Sequence, residues 1–286
     1  MMTASQQLPE ALSDYAGYYI QGATLLEQGQ SEYQCYEVWE SPLFGKLFRL
    51  DHCFMTSEKD EFFYHENLIH VSGCAHGNLR RVLIIGGGDG GSAEELLKYP
   101  SVEQITVVEL DAKVVEIAKK YLCSVHKGAF DDPRVALHFA DGLDFVARAA
   151  PAQYDQIVLD LTDPVGPAEA LYSESFFMQC KTLLRDRGVL SLHIGAPFYQ
   201  PERVRDQIVR LRRVFKQVAP YFMYIPLYGS QWGMACASET LNPSVCDTAL
   251  IDRRIRELGL TDLKHYNGCC HHAQFQLPNY LQKLLF

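Results

Sequence analysis

From about residue 73 to residue 240 the chain alternates short apolar runs with longer stretches of mixed polarity. The runs at 82–85, 105–109, 135–139, 154–159, 189–193 and 221–226 have the length and composition of strands, and a further strand is expected at 233–237. Such runs fit a sheet covered on both faces. Between them, 92–98, 112–121, 142–149, 173–184 and 202–215 have helix-forming composition. This rhythm predicts an α/β, Rossmann-like, doubly wound sheet with ligands at the carboxyl ends of its strands.

Residues 1–72 lack that rhythm. The stretch 33–39 (YQCYEVW) has strand composition, 46–50 (KLFRL) alternates, and 52–57 offers a third strand. Ser41-Pro42 and Gly45 mark turns between them. Residues 60–70 (DEFFYHENLIH) read as a helix, with Ser57 as candidate N-cap and Asp60 and Glu61 in the first turn. The expected division is a small antiparallel β domain, 1–72, contributing to oligomerisation and to the site, and a Rossmann-like catalytic domain, 73–286. Phe44, Phe48 and Leu50 on the small sheet would offer apolar surface for a second chain to cover, so an oligomer is expected.

The run 82–85 leads directly into Gly86-Gly87-Gly88-Asp89-Gly90-Gly91, which satisfies G-x-G-x-x-G at Gly86, Gly88 and Gly91. A helix and a second strand follow, and that strand ends in Glu109, about 20 positions on. Glycines permit a tight turn and close approach of a ligand to the main chain. Glu109 is placed to accept hydrogen bonds from both hydroxyls of a ribose. The order strand, glycines, helix, strand, acid indicates a nucleoside-containing ligand. Asp89 would meet a pyrophosphate at close range, so a cationic nucleoside fits better. S-adenosylmethionine and its decarboxylated form both carry a sulfonium and an amine and no phosphate.

Composition narrows the partners. Hydrophobic residues make up 48% of the 286, ample for a core, and there is no apolar run of about 18 residues that would span a membrane. No secretory signal is expected from the N-terminal sequence. Nine scattered cysteines without a C-x-x-C pair read as reduced thiols, hence a cytoplasmic protein. Cys269-Cys270-His271-His272 is not expected to bind metal, since neighbours on a strand point to opposite faces and no second ligand pair stands at finger spacing. A net charge of −9 makes nucleic acid a poor partner and a small polycation a plausible one, though it is also an ordinary solubility charge.

More acids cluster at strand ends. Run 135–139 is followed by Asp141-Gly142, where an acid can receive the amino group of an adenine. Run 154–159 is followed by Asp160-Leu161-Thr162-Asp163-Pro164-Val165-Gly166-Pro167. Asp160 and Asp163 would face the same crevice as Asp89, Glu109 and Asp141, and the two prolines stiffen the loop. Acids gathered at one crevice suit a small polycation.

With these residues in view the chain resembles the polyamine aminopropyltransferase family, of which spermidine synthase is the best-known member. The resemblance runs through Tyr33-Gln34, Tyr64-His65-Glu66, the glycine stretch, Glu109-Leu110-Asp111, Asp141-Gly142, the 160–169 segment, Ile225-Pro226, Tyr228, Trp232 and Tyr266-Asn267. It implies transfer of the aminopropyl group of decarboxylated S-adenosylmethionine to an amine, first of all putrescine, with methylthioadenosine released. That donor is a co-substrate, and no cofactor or metal is implied. Asp160 would be the base and Tyr64 would orient the nitrogen. Gln34, Gly86, Gly88, Asp89, Glu109, Asp141 and Gly142 would bind the donor. Tyr64, His65, Asp89, Asp160, Asp163, Tyr228 and Trp232 would bind the acceptor. The 160–167 segment would close over both, and the assembly would be a homodimer or homotetramer.

Departures from the family pattern cluster near the acceptor: Met55, Ser57, Asn67, Glu94, Leu161, His193 and Leu227. His193 could titrate or simply pack. Two alternatives stay open: a transferase acting on intact S-adenosylmethionine, moving a methyl or aminocarboxypropyl group, and a non-catalytic polyamine or nucleoside sensor. Asp89 favours the decarboxylated donor, because the intact one would bring a second carboxylate beside it.

Overall fold

A computed structural model describes residues 6–164 and 166–286; of the 160–167 segment, Val165 lies outside the described residues, as do residues 1–5. Strands β1 (Gln6–Ser13), β2 (Ala16–Gln30), β3 (Cys35–Ser41), β4 (Gly45–Leu50) and β5 (Cys53–Ser57) form an antiparallel sheet paired in chain order. Helix α1 (Glu61–His76) leads to the second sheet. There follow β6 (Arg81–Gly86), α2 (Gly91–Leu97), β7 (Gln104–Glu109), α3 (Ala112–Tyr121), the single turn α4 (Cys123–His126) and β8 (Val135–Phe139). Then come α5 (Gly142–Arg148), β9 (Tyr154–Asp160), α6 (Glu174–Leu183), β10 (Leu184–Gly195), α7 (Pro201–Val214), β11 (Gln217–Ile225) and β12 (Ser230–Ser238). Helices α8 (Thr248–Glu257), α9 (Gly268–Gln274) and α10 (Asn279–Leu285) follow.

The second sheet has the order β11-β12-β10-β9-β6-β7-β8. Strands β8, β7, β6, β9 and β10 are parallel, and β12 runs antiparallel between β10 and β11. This is the expected Rossmann-like sheet. Its strand order reverses between β6 and β9, and a doubly wound sheet opens a crevice there. Alternation along β6 feeds both layers. Val82 and Ile84, with Val107 and Val158, face α1, α2 and α8, while Leu83 and Ile85, with Val108, Ile157 and Leu159, face α5, α6 and α7. Each such side chain contributes about 1.5–3 kcal/mol on burial. No helix among the described residues is long and apolar enough to cross a membrane.

Three sequence expectations change. Phe48 and Leu50 are not free apolar surface, because with Tyr36 and Val38 they pack on Val114, Ile117, Ala118 and Leu122 of α3 and the turn after it. The large apolar side chains exposed on that sheet and its turns include Tyr15, Tyr19, Leu26 and Leu43. Asp60, not Ser57, is the N-cap of α1; its carboxylate accepts from Ser57 Oγ at 2.5 Å and from Leu227 N–H at 2.7 Å, tying the β11–β12 turn to the helix start. Cys269 to His272 lie on helix α9 rather than a strand, and His271 is spent on Tyr266 Oη (2.8 Å) and the Pro243 carbonyl (2.9 Å).

Candidate active site

At the switch point Gly86 stands in register with Asp160, and Gly87 N–H donates to the Asp160 carbonyl at 2.8 Å. Only glycine fits at 86: φ is +81°, and a Cβ would lie 2.1 Å from that carbonyl oxygen. The Asp160 carboxylate turns into the crevice and accepts from Ser92 Oγ at 2.7 Å. Asp89 accepts from Gly91 N–H at 3.0 Å, and its other oxygen lies 3.4 Å from His65 Nε2. His65 Nδ1 is 2.9 Å from Glu61 Oε2, one helical turn back on α1. The ring passes so close to the glycine loop that a Cβ at Gly91 would stand 2.2 Å from it.

Burial sets the charges here. It raises the Asp160 carboxyl above its ordinary value and the neighbouring Asp89 pushes it the same way, while His65, Ser92 and Tyr64 oppose without cancelling. Burial also penalises Asp89, but His65 and the Gly91 amide outweigh it and hold this carboxyl below the usual range. Burial disfavours a charged His65, yet Asp89 and Glu61 together lift it well above the usual imidazole range. The unit therefore sets a His65 imidazolium between the Asp89 carboxylate and Glu61. Ligand atoms of His65, Asp89 and Asp160 lie within 4.8 Å of one another, but a protonated imidazole has no lone pair for a metal ion.

One side of the crevice is formed by the ends of β7 and β8. Glu109 accepts from Asp111 N–H at 2.9 Å. Its carboxyl is pushed up to about 7, mainly by burial, although the amides of Asp111 and Leu110 oppose. Gly88 lets the main chain lie against it; a Cβ there would be 2.7 Å from Glu109 Oε2. Asp111 caps α3 and accepts from Ser31 Oγ (2.6 Å) and Gln34 Nε2 (3.1 Å), so Gln34 is fastened to Asp111. Asp141 caps α5 through Leu143 N–H at 2.7 Å. Ser31, Tyr33, Leu110, Asp111, Phe139 and Asp141 line a cavity of about 630 Å³. Gly142 leaves no room for a side chain, since a Cβ would meet Ile85 at 2.7 Å.

The other side is aromatic. The Tyr64 and Tyr228 rings are 6.1 Å apart, Tyr228 and Trp232 4.8 Å, and His193 stacks on Trp232 at 5.8 Å. Tyr228 Oη donates to the Met55 carbonyl at 2.7 Å, joining β5 to this wall. His193 Nε2 lies 2.6 Å from Tyr172 Oη and 3.0 Å from the Leu161 carbonyl, and Tyr172 Oη donates to the Thr162 carbonyl at 3.1 Å. This network assigns the proton to Nε2. Burial pushes the His193 imidazole down to about 4, so it is a neutral ring that ties down the start of the 160–167 segment.

The sequence-predicted residues thus converge, with two qualifications. His65 has both ring nitrogens engaged by carboxylates. Asp163 is paired bidentately with Arg203, which sequence reasoning had not singled out. Ser92 and Glu61 were also missed. Glu61 and His65 stand four apart on α1, a spacing that places them on one face. Glu94 turns away, pairing with Lys127 (2.9 Å) and Lys98 (3.3 Å).

Comparison with known proteins gives a consistent answer. The profile of the spermine/spermidine synthase domain matches residues 61–247. A polyamine aminopropyltransferase of Nitrosomonas europaea is 47% identical, over 96% of this chain and 85% of its own. One of Escherichia coli is 37% identical over 99% and 98%. A crystal structure of spermidine synthase in complex with the transition-state analogue AdoDATO superposes with a TM-score of 0.91 at 35% identity, covering 98% of this chain and 94% of that one.

Proposed function

The chain belongs to the spermine/spermidine synthase family of polyamine aminopropyltransferases, and from that premise we propose that it moves the aminopropyl group of decarboxylated S-adenosylmethionine to putrescine, releasing methylthioadenosine. The observation that carries this reading is that two carboxylates of one crevice have different neighbours: Asp89 lies 3.4 Å from His65 Nε2 and is lowered, whereas Asp160 accepts from the neutral Ser92 Oγ at 2.7 Å and is raised. Such a divided pair assigns a proton acceptor and a permanent anion.

Putrescine arrives as a dication, and its attacking ammonium has no lone pair. Asp160 takes one proton from it, with Tyr64 orienting the freed nitrogen. The lone pair then attacks the methylene beside the sulfonium. The carbon–sulfur bond breaks, its electron pair stays on sulfur, and a neutral thioether leaves. The product nitrogen is a secondary ammonium, and the proton on Asp160 goes to solvent. Asp89 stays charged and holds the primary ammonium of the aminopropyl group. His65 acts through Asp89 as a positioning residue. Glu109 receives the ribose hydroxyls and Asp141 the adenine amine. Tyr228 and Trp232 cover the methylenes of the acceptor.

The intact donor fits less well. Its extra carboxylate would stand by Asp89, and like charges at about 4 Å cost about 1 kcal/mol in water and several in a dry cleft. A mass-spectrometric product assay with putrescine and each donor decides. Methylthioadenosine and spermidine from the decarboxylated donor alone are the expected products. Methylated or aminocarboxypropylated amine from the intact donor would sink the proposal, and so would no product from either.

The Glu109 carboxyl yields a pH prediction. With its pKa at about 7 in the free protein, it is half protonated at neutrality. Ribose hydroxyls donate to the ionised form and lower that pKa in the complex. Methylthioadenosine affinity is therefore full above about pH 7 and falls by up to tenfold per unit below it. Calorimetric titrations between about pH 6 and 8 read this directly; a flat dissociation constant contradicts it.

A further inference from the structure

Asp163 is a poor ammonium receptor as it stands. Arg203 Nη1 lies 2.5 Å from its Oδ2 and Nη2 2.8 Å from its Oδ1, a fork on both oxygens. Burial alone would raise the Asp163 carboxyl, and Arg203 holds it below the ordinary range instead. Arg203 sits in the first turn of the 14-residue helix α7, where the helix dipole disfavours a cation. Asp163 supplies the reason for a cation there. The local chain is also shaped for this guanidinium. Gln200 Oε1 accepts from Nη1 at 3.1 Å, and Gly195 lies beneath it, where a Cβ would come within 3.2 Å of Arg203 Cζ. Arg203 Nε is buried without a partner among the described residues, so the guanidinium is not fully satisfied in this position.

We infer that Arg203 competes with the distal ammonium of the acceptor for Asp163, and thereby sets both acceptor affinity and selection for a second charge. The inference rests on the diamine reading above. A distal ammonium drawn to Asp163 meets a guanidinium already on the same carboxylate. It must share the carboxylate, with two cations a few ångströms apart, or send Arg203 toward solvent. Either course weakens a dication relative to a free aspartate. A monoamine of equal length brings no distal charge and is indifferent to Arg203.

The test compares wild type, Arg203→Gln and Arg203→Lys with putrescine and with n-butylamine, and measures methylthioadenosine binding in each. Losing the guanidinium is expected to lower the putrescine KM about tenfold, with kcat, the butylamine KM and the nucleoside dissociation constant nearly unchanged. Lysine keeps the charge but loses the fork, so its putrescine KM falls between the two. A merely structural role would move both amines together. A putrescine KM unchanged or raised in both variants, with nucleoside binding intact, overturns the inference. Should the Gln variant lose nucleoside binding, the Lys variant decides by the same criterion. If wild type makes no triamine, it is the functional reading that fails; direct calorimetry of putrescine binding to the same proteins then still reads the competition.

Discussion

Replacing Asp160 by Asn is expected to lower kcat for aminopropyl transfer about 10²- to 10⁴-fold, the usual loss when a positioned general base is removed. The variant keeps the shape of the site. An amide oxygen can still accept from Ser92 Oγ, and the Gly87 bond goes to the Asp160 main chain, which is untouched. What is lost is the crevice carboxyl beside Ser92, whose surroundings favour taking up a proton. The ribose and adenine contacts proposed for Glu109 and Asp141 lie elsewhere, so the methylthioadenosine dissociation constant should change by no more than about twofold. At saturating donor, wild-type kcat should rise with pH through the raised Asp160 value, because the base works ionised; that acid limb disappears in the variant. Steady-state rates across pH, with calorimetry of the nucleoside, make the check. A variant holding more than about a tenth of wild-type activity would mean another group removes the proton.

The parts of the fold legible in the sequence are those buried on both faces. Strands β6 and β9 are apolar for most of their length because helices cover them above and below, and the glycines and acids at their carboxyl ends define the crevice. Strands β1 and β2 were not legible. Few of their side chains are buried, Pro9 stands within β1, and Gly22 in β2 has φ of +75°, so neither carries an apolar period. The fate of Phe48 and Leu50 was misread for a different reason. Alternation shows that a face is apolar but not what covers it, and here α3 of the same chain does so. In the site, carboxylates at strand ends were legible because topology gathers them. Their counter-ions were not. Arg203 lies 40 residues from Asp163 with no local pattern linking them. Even Glu61 and His65, at helical spacing, did not reveal that His65 bridges to Asp89 from another element.

That bridge carries the largest stability prediction. His65→Gln should destabilise the protein by about 3–5 kcal/mol near neutral pH, the usual cost of removing one partner from a buried ionic group. For a chain of this size the melting temperature should fall by roughly 6–20 °C. His65 and Glu61 are almost fully buried, and Gln carries no charge to offset Glu61 and Asp89. The pH dependence distinguishes this from simple loss of packing. The folded pKa of His65 is raised above its unfolded value of about 6.5. Its contribution is therefore fully present below that value and is lost as pH rises through the raised one. In the variant this alkaline loss vanishes. Without the imidazolium, burial and the proximity of Asp160 raise Asp89 instead of leaving it depressed. A carboxyl with a raised folded pKa takes up protons in the folded state, so as pH falls from about 6.5 toward 5, where the wild-type histidine term no longer changes, the variant should grow more stable and narrow the gap to wild type. Thermal melts of both proteins from about pH 8 to about pH 5 are the measurement. Parallel curves, or a loss under about 1 kcal/mol at neutrality, would show that the imidazolium is not what holds Asp89 and Glu61 in place.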